Sequence, residues 1–245
     1  MIKKIVTPLY GIAMIVILWW ILSFVIGSNM VPTPYDTLKE LVELFQQDFL
    51  FHIIYSFYRI MSSVTMSILI GIPIGILLGV NKYIDKIVSP ITYLLYPIPK
   101  IAFLPIFMVV FGIGDKSKII LMITIIIFQI IIVTKDGVKE IDKDILISAK
   151  VMRFNGINMI TKVILPVILP KVFSALRVSI GIAISALFFS ENYATRYGLG
   201  YFIMNSWSMV DYKGMFAGVL ALSIMSLIIF KIIDYLEKKI CLWNS

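Results

Sequence analysis

Residues 135–166 read KDGVKEIDKDILISAKVMRFNGINMITKVILP. This is the one long polar interruption in a strongly apolar chain, and its flanks decide the fold class. Residues 117–134 before it are nearly uninterrupted Ile, Leu, Met, Phe and Val, and an equally apolar run follows it as far as Phe189. Blocks of about 20 apolar residues are what a helix needs to cross roughly 30 Å of hydrocarbon. The interruption is therefore a loop between two membrane spans, and Pro166 and Pro170 mark the start of the second, because proline suits a helix beginning better than its interior.

Working outward, the same pattern recurs. Apolar segments lie at 8–27, 59–80, 88–112, 117–134, from Pro166 to Phe189, and at 214–236. An all-α membrane protein of about six transmembrane helices is the expectation. The first segment resembles a signal peptide, but it runs to Gly27 with no clear cleavage site, and reads as an uncleaved span. Between it and the second span, Leu38, Leu41, Leu44 and Phe45 recur at helical spacing after Pro34, which predicts a short amphipathic helix. Gly71, Gly75 and Gly79 fall four apart in the second span, a spacing that lets another helix backbone approach closely. Residues 81–86 form a short loop. The third span is broken by Pro97, Pro99 and Pro105. As domains, residues 1–50 hold the first span and the amphipathic segment. Residues 51–240 hold the core, with its loop at 135–166.

Composition agrees. Of 245 residues, 60% are hydrophobic and 15% charged, with a mean hydropathy of +0.99; soluble domains carry about a quarter charged residues. The net charge of +8 would suggest nucleic acid in a soluble protein, but no basic stripe accompanies a soluble fold, and nucleic acid is excluded. With the N-terminus inside, inside segments hold Lys3, Lys4, Lys82, Lys86, Lys135, Lys139, Lys143, Lys150, Arg153, Lys162, Lys171, Lys238 and Lys239, thirteen in all. Outside segments hold five: Lys39, Lys116, Lys118, Arg196 and Lys213. This asymmetry places both termini, and the loop at 135–166, in the cytoplasm.

The residues point away from enzyme chemistry. Cys241 is the only cysteine and His52 the only histidine, so no disulfide or Cys-based metal site is available; no metal or cofactor is expected, and His52 reads as an interfacial or core residue. Gly112–Ser117 resembles a phosphate loop only superficially, since the spacing is wrong and it lies in a turn between apolar helices. No zinc-protease or serine-hydrolase motif is present. Lys100 in the third span, Arg177 in the fifth and Glu191 at the outer end of the fifth are interior ionisable residues and candidates for a translocation pathway, because buried charge in a membrane faces protein or water. Helix-end pairing is the alternative for Arg177 and Glu191, and pinning of the broken third span for Lys100. Ion-coupled carriers carry more mid-membrane acids and internal repeats, which leaves transport driven by a partner. Ile145, Leu146, Ala149, Met152 and Phe154 beside Lys150 and Arg153 fit a short helix that docks into a cleft on a soluble protein. An ion-coupled carrier or channel and a membrane scaffold are the competing readings.

Several stretches carry a resemblance. Pro97-Ile98-Pro99-Lys100-Ile101-Ala102-Phe103-Leu104-Pro105, Phe111-Gly112-Ile113-Gly114, Leu165-Pro166, Leu176-Arg177, and Glu191 followed by Tyr197-Gly198-Leu199-Gly200-Tyr201 resemble the nitrate/sulfonate/taurine branch of ABC importer permeases of the binding-protein-dependent type. The likeness covers roughly residues 50–240. Those permeases carry a cytoplasmic motif of Glu-Ala-Ala, three residues, Gly, nine residues, then an aliphatic residue, any residue and Leu-Pro. Anchored on Leu165-Pro166, the motif's Glu-Ala-Ala falls on Ile147, Ser148 and Ala149 and its Gly on Arg153, with Phe154 and Gly156 following; Ala149 and Leu-Pro match strictly. The resemblance implies a type I importer permease that pairs with a second copy in the cell membrane, inserts a coupling helix at 145–157 into a cytoplasmic ATPase subunit, and receives substrate from an extracytoplasmic binding protein. It implies that ATP is hydrolysed by the partner, and that the substrate is a small anion such as a sulfonate or nitrate, or a vitamin precursor.

Overall fold

The computed structural model describes residues 2–46 and 48–244. Eleven α-helices are present among them and no β-strand: α1 Ile2–Ile26, α2 Pro34–Leu44, α3 Phe49–Val80, α4 Lys82–Leu95, α5 Leu104–Phe111, α6 Asp115–Lys139, α7 Lys143–Val151, α8 Gly156–Met159, α9 Leu165–Glu191, α10 Leu199–Ser208 and α11 Tyr212–Ile240. Four helical stretches are long and apolar enough to cross a bilayer: Phe49–Val80, Asp115–Lys139, Gly156–Glu191 and Tyr212–Ile240. The pair Lys82–Leu95 and Lys100–Phe111, bent by 87°, makes a fifth if taken as one broken span, and α1 contributes the shorter apolar stretch Tyr10–Ile26. Large side chains such as Leu69, Val109 and Leu227 point outward. That is the surface a lipid solvent accepts and water does not.

The chain divides into two compact units. The first comprises residues 1–56 and 191–225. In it, α2 starts where the chain dictates. Thr33 has extended backbone and its side chain accepts from the Asp36 amide, while Pro34 occupies the first turn. Leu41 and Leu44 face inward and Leu38 and Phe45 outward, so the amphipathic helix is present with a narrower buried stripe than its apolar spacing predicts. The Trp19 indole donates to Pro32 O at 3.0 Å and the Ser23 hydroxyl to Val31 O at 2.7 Å, which secures the turn after α1. Phe49 is buried edge-on against Phe202, with ring centroids 4.8 Å apart.

The second unit comprises residues 57–190 and 226–245. Its core is the seam between α3 and α6. A Cβ on Gly71 would lie 2.9 Å from Ile130 Cγ2, one on Gly75 2.5 Å from Thr134 Cβ, and one on Gly79 2.5 Å from Val138 Cβ. The three glycines thus admit the three larger side chains of α6, with Leu121, Met122, Ile126 and Ile130 buried alongside. In lipid, such close packing replaces the hydrophobic drive that holds soluble helices together.

Three sequence expectations are corrected here. Residues 81–86 are not a loop: only Asn81 is non-helical, and its side chain caps α4 by accepting from the Tyr83 and Ile84 amides. The polar interruption does not begin at 135, because α6 continues to Lys139. Lys135 is buried within α6, its ammonium donating to Tyr93 Oη at 3.0 Å and Ser89 Oγ at 3.3 Å and lying over the Tyr93 ring. A lysine with such partners does not force a chain out of its helix. Finally, Pro166 does not start the next helix. Helical structure resumes at Gly156, passes through a π-turn at Ile160–Ile164 and continues as α9. A proline inside a helix removes one backbone bond and crowds the carbonyl four residues back; the wider π-turn just ahead of Pro166 accommodates both effects.

Candidate functional site

Residues 140–164, all in the second unit, form a compact turn of helix, loop and helix. Asp142 caps α7, its carboxylate accepting from the Asp144 amide at 2.9 Å. At the other end the Arg153 amide donates to Lys150 O at 2.9 Å and the Phe154 amide to Ala149 O at 2.9 Å, with Arg153 at φ 61°. This pair of bonds around a left-handed residue satisfies the last carbonyls of α7. Gly156, also at positive φ, opens α8. Ile145, Ile147, Val151, Met152 and Ile157 stand exposed on this element, beside exposed Ser148, Lys150 and Arg153. Ala149 faces inward and is buried, and Phe154 is half-buried with Lys162 over its ring. The apolar side predicted from Ile145 to Phe154 is therefore re-drawn: Ile147 belongs to the exposed face and Ala149 does not.

The three interior charges lie in three different settings. Lys100 sits in the 3₁₀ turn Lys100–Phe103 between α4 and α5, where its ammonium donates to Leu95 O and Tyr96 O. It lines a cavity of about 400 Å³ together with Gln129 of α6 and Ser185 of α9. Arg177 of α9 does not line that cavity. Its guanidinium donates to Asp234 Oδ1 at 2.8 Å and to Glu237, both on α11, which is the helix-end pairing the sequence allowed. Glu191, in the first unit, is fully buried. Its carboxylate accepts from Ser56 Oγ at 2.7 and 2.9 Å and from the Gly200 amide at 2.8 Å, while Ser56 Oγ accepts from the Leu199 amide at 2.8 Å. Carboxylate and hydroxyl thus satisfy two of the orphan amides at the start of α10, where a helix dipole favours negative charge. His52 joins the same cluster, its Nδ1 accepting from the Gly198 amide at 3.1 Å.

Residues 71–241 match the family of binding-protein-dependent transport system inner membrane components. The chain belongs to that family. Among relatives, it is 29% identical over 95% of its length to the putative aliphatic sulfonates transport permease protein SsuC of Bacillus subtilis (strain 168), covering 86% of that protein. It is 26% identical over 99% of its length to the taurine transport system permease protein TauC of Escherichia coli (strain K12), covering 91% of it. In fold it resembles the inward-facing MetNI methionine ABC transporter, with a TM-score of 0.66 and 21% identity over 77% of this chain and 94% of that one.

Arg153, on which the motif's glycine was expected to fall, adopts the left-handed conformation that glycine takes without strain. Arg153→Gly is expected to raise the stability of the turn by about 1 kcal/mol. Arg153→Val should lower it, because a β-branched residue resists positive φ. Thermal unfolding of the purified permease checks both; equal midpoints for the two variants would contradict the geometry.

Sequence reasoning missed several residues that the fold brings together. Arg59, buried in α3, grips Asp115 at the start of α6, with Nε 2.8 Å and Nη2 2.6 Å from Oδ1. Lys118, counted above among loop cations, is fully buried in the first turns of α6 and reaches Gly114 O at 3.4 Å. Ser56 is also new, while His52, expected as an interfacial or core residue, is buried. One signal was available for Arg59: a lone arginine inside an otherwise apolar span needs a partner.

Proposed function

We propose that this importer permease carries a small organic anion across the cytoplasmic membrane as one of two copies, receiving it from an extracytoplasmic binding protein and driven by ATP hydrolysis in a partner ATPase that docks on residues 143–157. The observation that carries the docking reading is the row of exposed apolar residues, Ile145, Ile147, Val151 and Met152, on a capped helix and turn outside the long apolar helices, continued by Ile157 at the very start of the next one. Apolar side chains so displayed are the material of a helix laid in a partner's groove. On this reading α1 supplies a sixth span, the broken α4–α5 pair is a single span, and both termini lie in the cytoplasm. The excess of Lys and Arg in the segments assigned inside supports that orientation. The anion is inferred from the relatives, two of which are named for sulfonates and taurine.

The test replaces exposed rather than buried positions. Ile147→Asp combined with Met152→Asp is expected to cut co-purification with the partner ATPase subunit by about tenfold or more, the loss of one interface hot spot. The yield of the permease itself should not change. Full ATPase binding by the double variant would show that the partner docks elsewhere. Ala149→Asp is the contrasting case: it places a charge where Ala149 is buried, so it should cost folded protein and is no measure of docking.

A further inference from the structure

The cavity at the kink between α4 and α5 has a one-signed lining. Its volume is about 400 Å³, and its walls include Lys100, Gln129 and Ser185 with Ile125, Ile182 and Phe189. Among the described residues, no Asp or Glu lines it. An ammonium has three donors. Two of those on Lys100 are taken by Leu95 O and Tyr96 O, the last carbonyls of α4 and its cap. These bonds, and the Tyr96 and Phe128 rings 5.2 and 5.3 Å from Nζ, hold the cation in place and leave its third donor for a ligand. Gln129 is similarly set. Its Oε1 accepts from the Tyr96 hydroxyl, which assigns the two donors of its Nε2 to the other side. Gln129 also lines a second cavity of about 480 Å³ with Ser174, Val178, Lys171 and Glu237, the acid there lying outside the first cavity. The two cavities follow one face of α9, through Ser174, Val178, Ile182, Ser185 and Phe189 at helical spacing, and meet at Gln129.

A fixed cation, a carboxamide with donors to give and no acid to neutralise them make an anion site, and the apolar walls make it a site for an organic one. We infer that the cavity binds a small organic monoanion with an oxyanion head, sulfonate or carboxylate, its head on Lys100 and Gln129 and its short alkyl part against Ile125, Ile182 and Phe189. Nitrate and chloride offer nothing to those walls and bind more weakly. The broken third span then has a use: the chain leaves the helix at Pro97 and Pro99, and the freed carbonyls of α4 hold the lysine that meets the anion.

This rests on the reading of the chain as a permease for anions, and the experiment separates the two. The full chain in lipid nanodiscs is dialysed to equilibrium against radiolabelled ethanesulfonate and, separately, propionate, with chloride at equal ionic strength and ethyl methyl sulfone as the uncharged comparator. Saturable binding of one or both labelled anions is expected, with the sulfone bound at least about tenfold more weakly for want of the charged contact. Lys100→Met should weaken anion binding by about tenfold or more, while Lys100→Arg, which keeps the charge and can still reach the α4 carbonyls, stays within about threefold. Gln129→Leu, which leaves the Lys100 contacts in place, should fall between. No saturable binding to the wild-type chain, equal affinity for the sulfone, or unchanged affinity in Lys100→Met would each overturn the site. If that happens while the ATPase still co-purifies, the permease reading stands and only this site is lost. If the ATPase fails to bind but the anions do, the reverse holds.

Discussion

Gly75→Val removes the folded permease from the membrane. A Cβ at position 75 would sit 2.5 Å from Thr134 Cβ, 2.7 Å from Thr134 Cγ2 and 2.9 Å from the Ile131 carbonyl oxygen. A side chain can rotate away, but a backbone carbonyl in the middle of α6 cannot, so α3 and α6 must separate. Overpacking a tight interior costs about 1–3 kcal/mol for a single methylene. Valine adds more than that, and the separation also loosens the contacts of Gly71 with Ile130 and of Gly79 with Val138. The expected yield of monodisperse protein, measured by fluorescence-detected size-exclusion chromatography, falls below about a tenth of wild type, a loss of the order of 1.4 kcal/mol or more. Gly75→Ala should fall between. Gly181→Ala serves as the control, because its nearest neighbour, Phe230 Cζ, lies 4.0 Å from the added atom. A normal yield from Gly75→Val would mean that α3 and α6 do not pack through this seam.

The second large effect is expected at Glu191. Glu191→Ala leaves the Gly200 amide and the Ser56 hydroxyl without the acceptor they have in the wild type. Each orphaned buried polar group costs about 1–3 kcal/mol, so the start of α10 loses a large part of what holds it. Amide exchange at Leu199 and Gly200 should accelerate by about a hundredfold, the equivalent of roughly 3 kcal/mol. Substrate uptake through the assembled importer should fall with it. Glu191→Gln keeps the shape but exchanges one acceptor oxygen for a donor, and should lie between. Unaltered exchange together with normal uptake in Glu191→Ala would remove Glu191 from any role in holding this end of the permease.

What the sequence shows and what it hides divide along a physical line. Features set by neighbouring residues were legible. The glycine spacing at 71, 75 and 79 and the prolines at 97 and 99 that separate α4 from α5 are local patterns, and each appears in the structure where its pattern lies. Features set by distant partners were not. Lys135 reads as a loop residue until Ser89 and Tyr93 are placed beside it. For Arg177 helix-end pairing was legible as an alternative, but its partners, Asp234 and Glu237 some sixty positions later, were not. Ala149 sits in an apolar group whose inward and outward members differ only by helical phase, and a helix as short as α7 gives that phase too few turns to declare itself. Prolines 166 and 170 misled in another way. They usually mark helix starts, and here a widened turn ahead of them lets the helix pass through.

That widened turn, Ile160–Ile164, is one residue of slack in the α9 rod. An α-helix advances about 100° per residue. Were the slack taken up, everything ahead of it, from α8 back through Arg153 to α7, would swing by that angle about the axis of α9. The exposed row from Ile145 to Ile157 would then present a different side of itself. The bearing of the element on which a partner is proposed to pull is thus written in the length of the chain, as a single extra residue, rather than in the chemistry of the surface it displays.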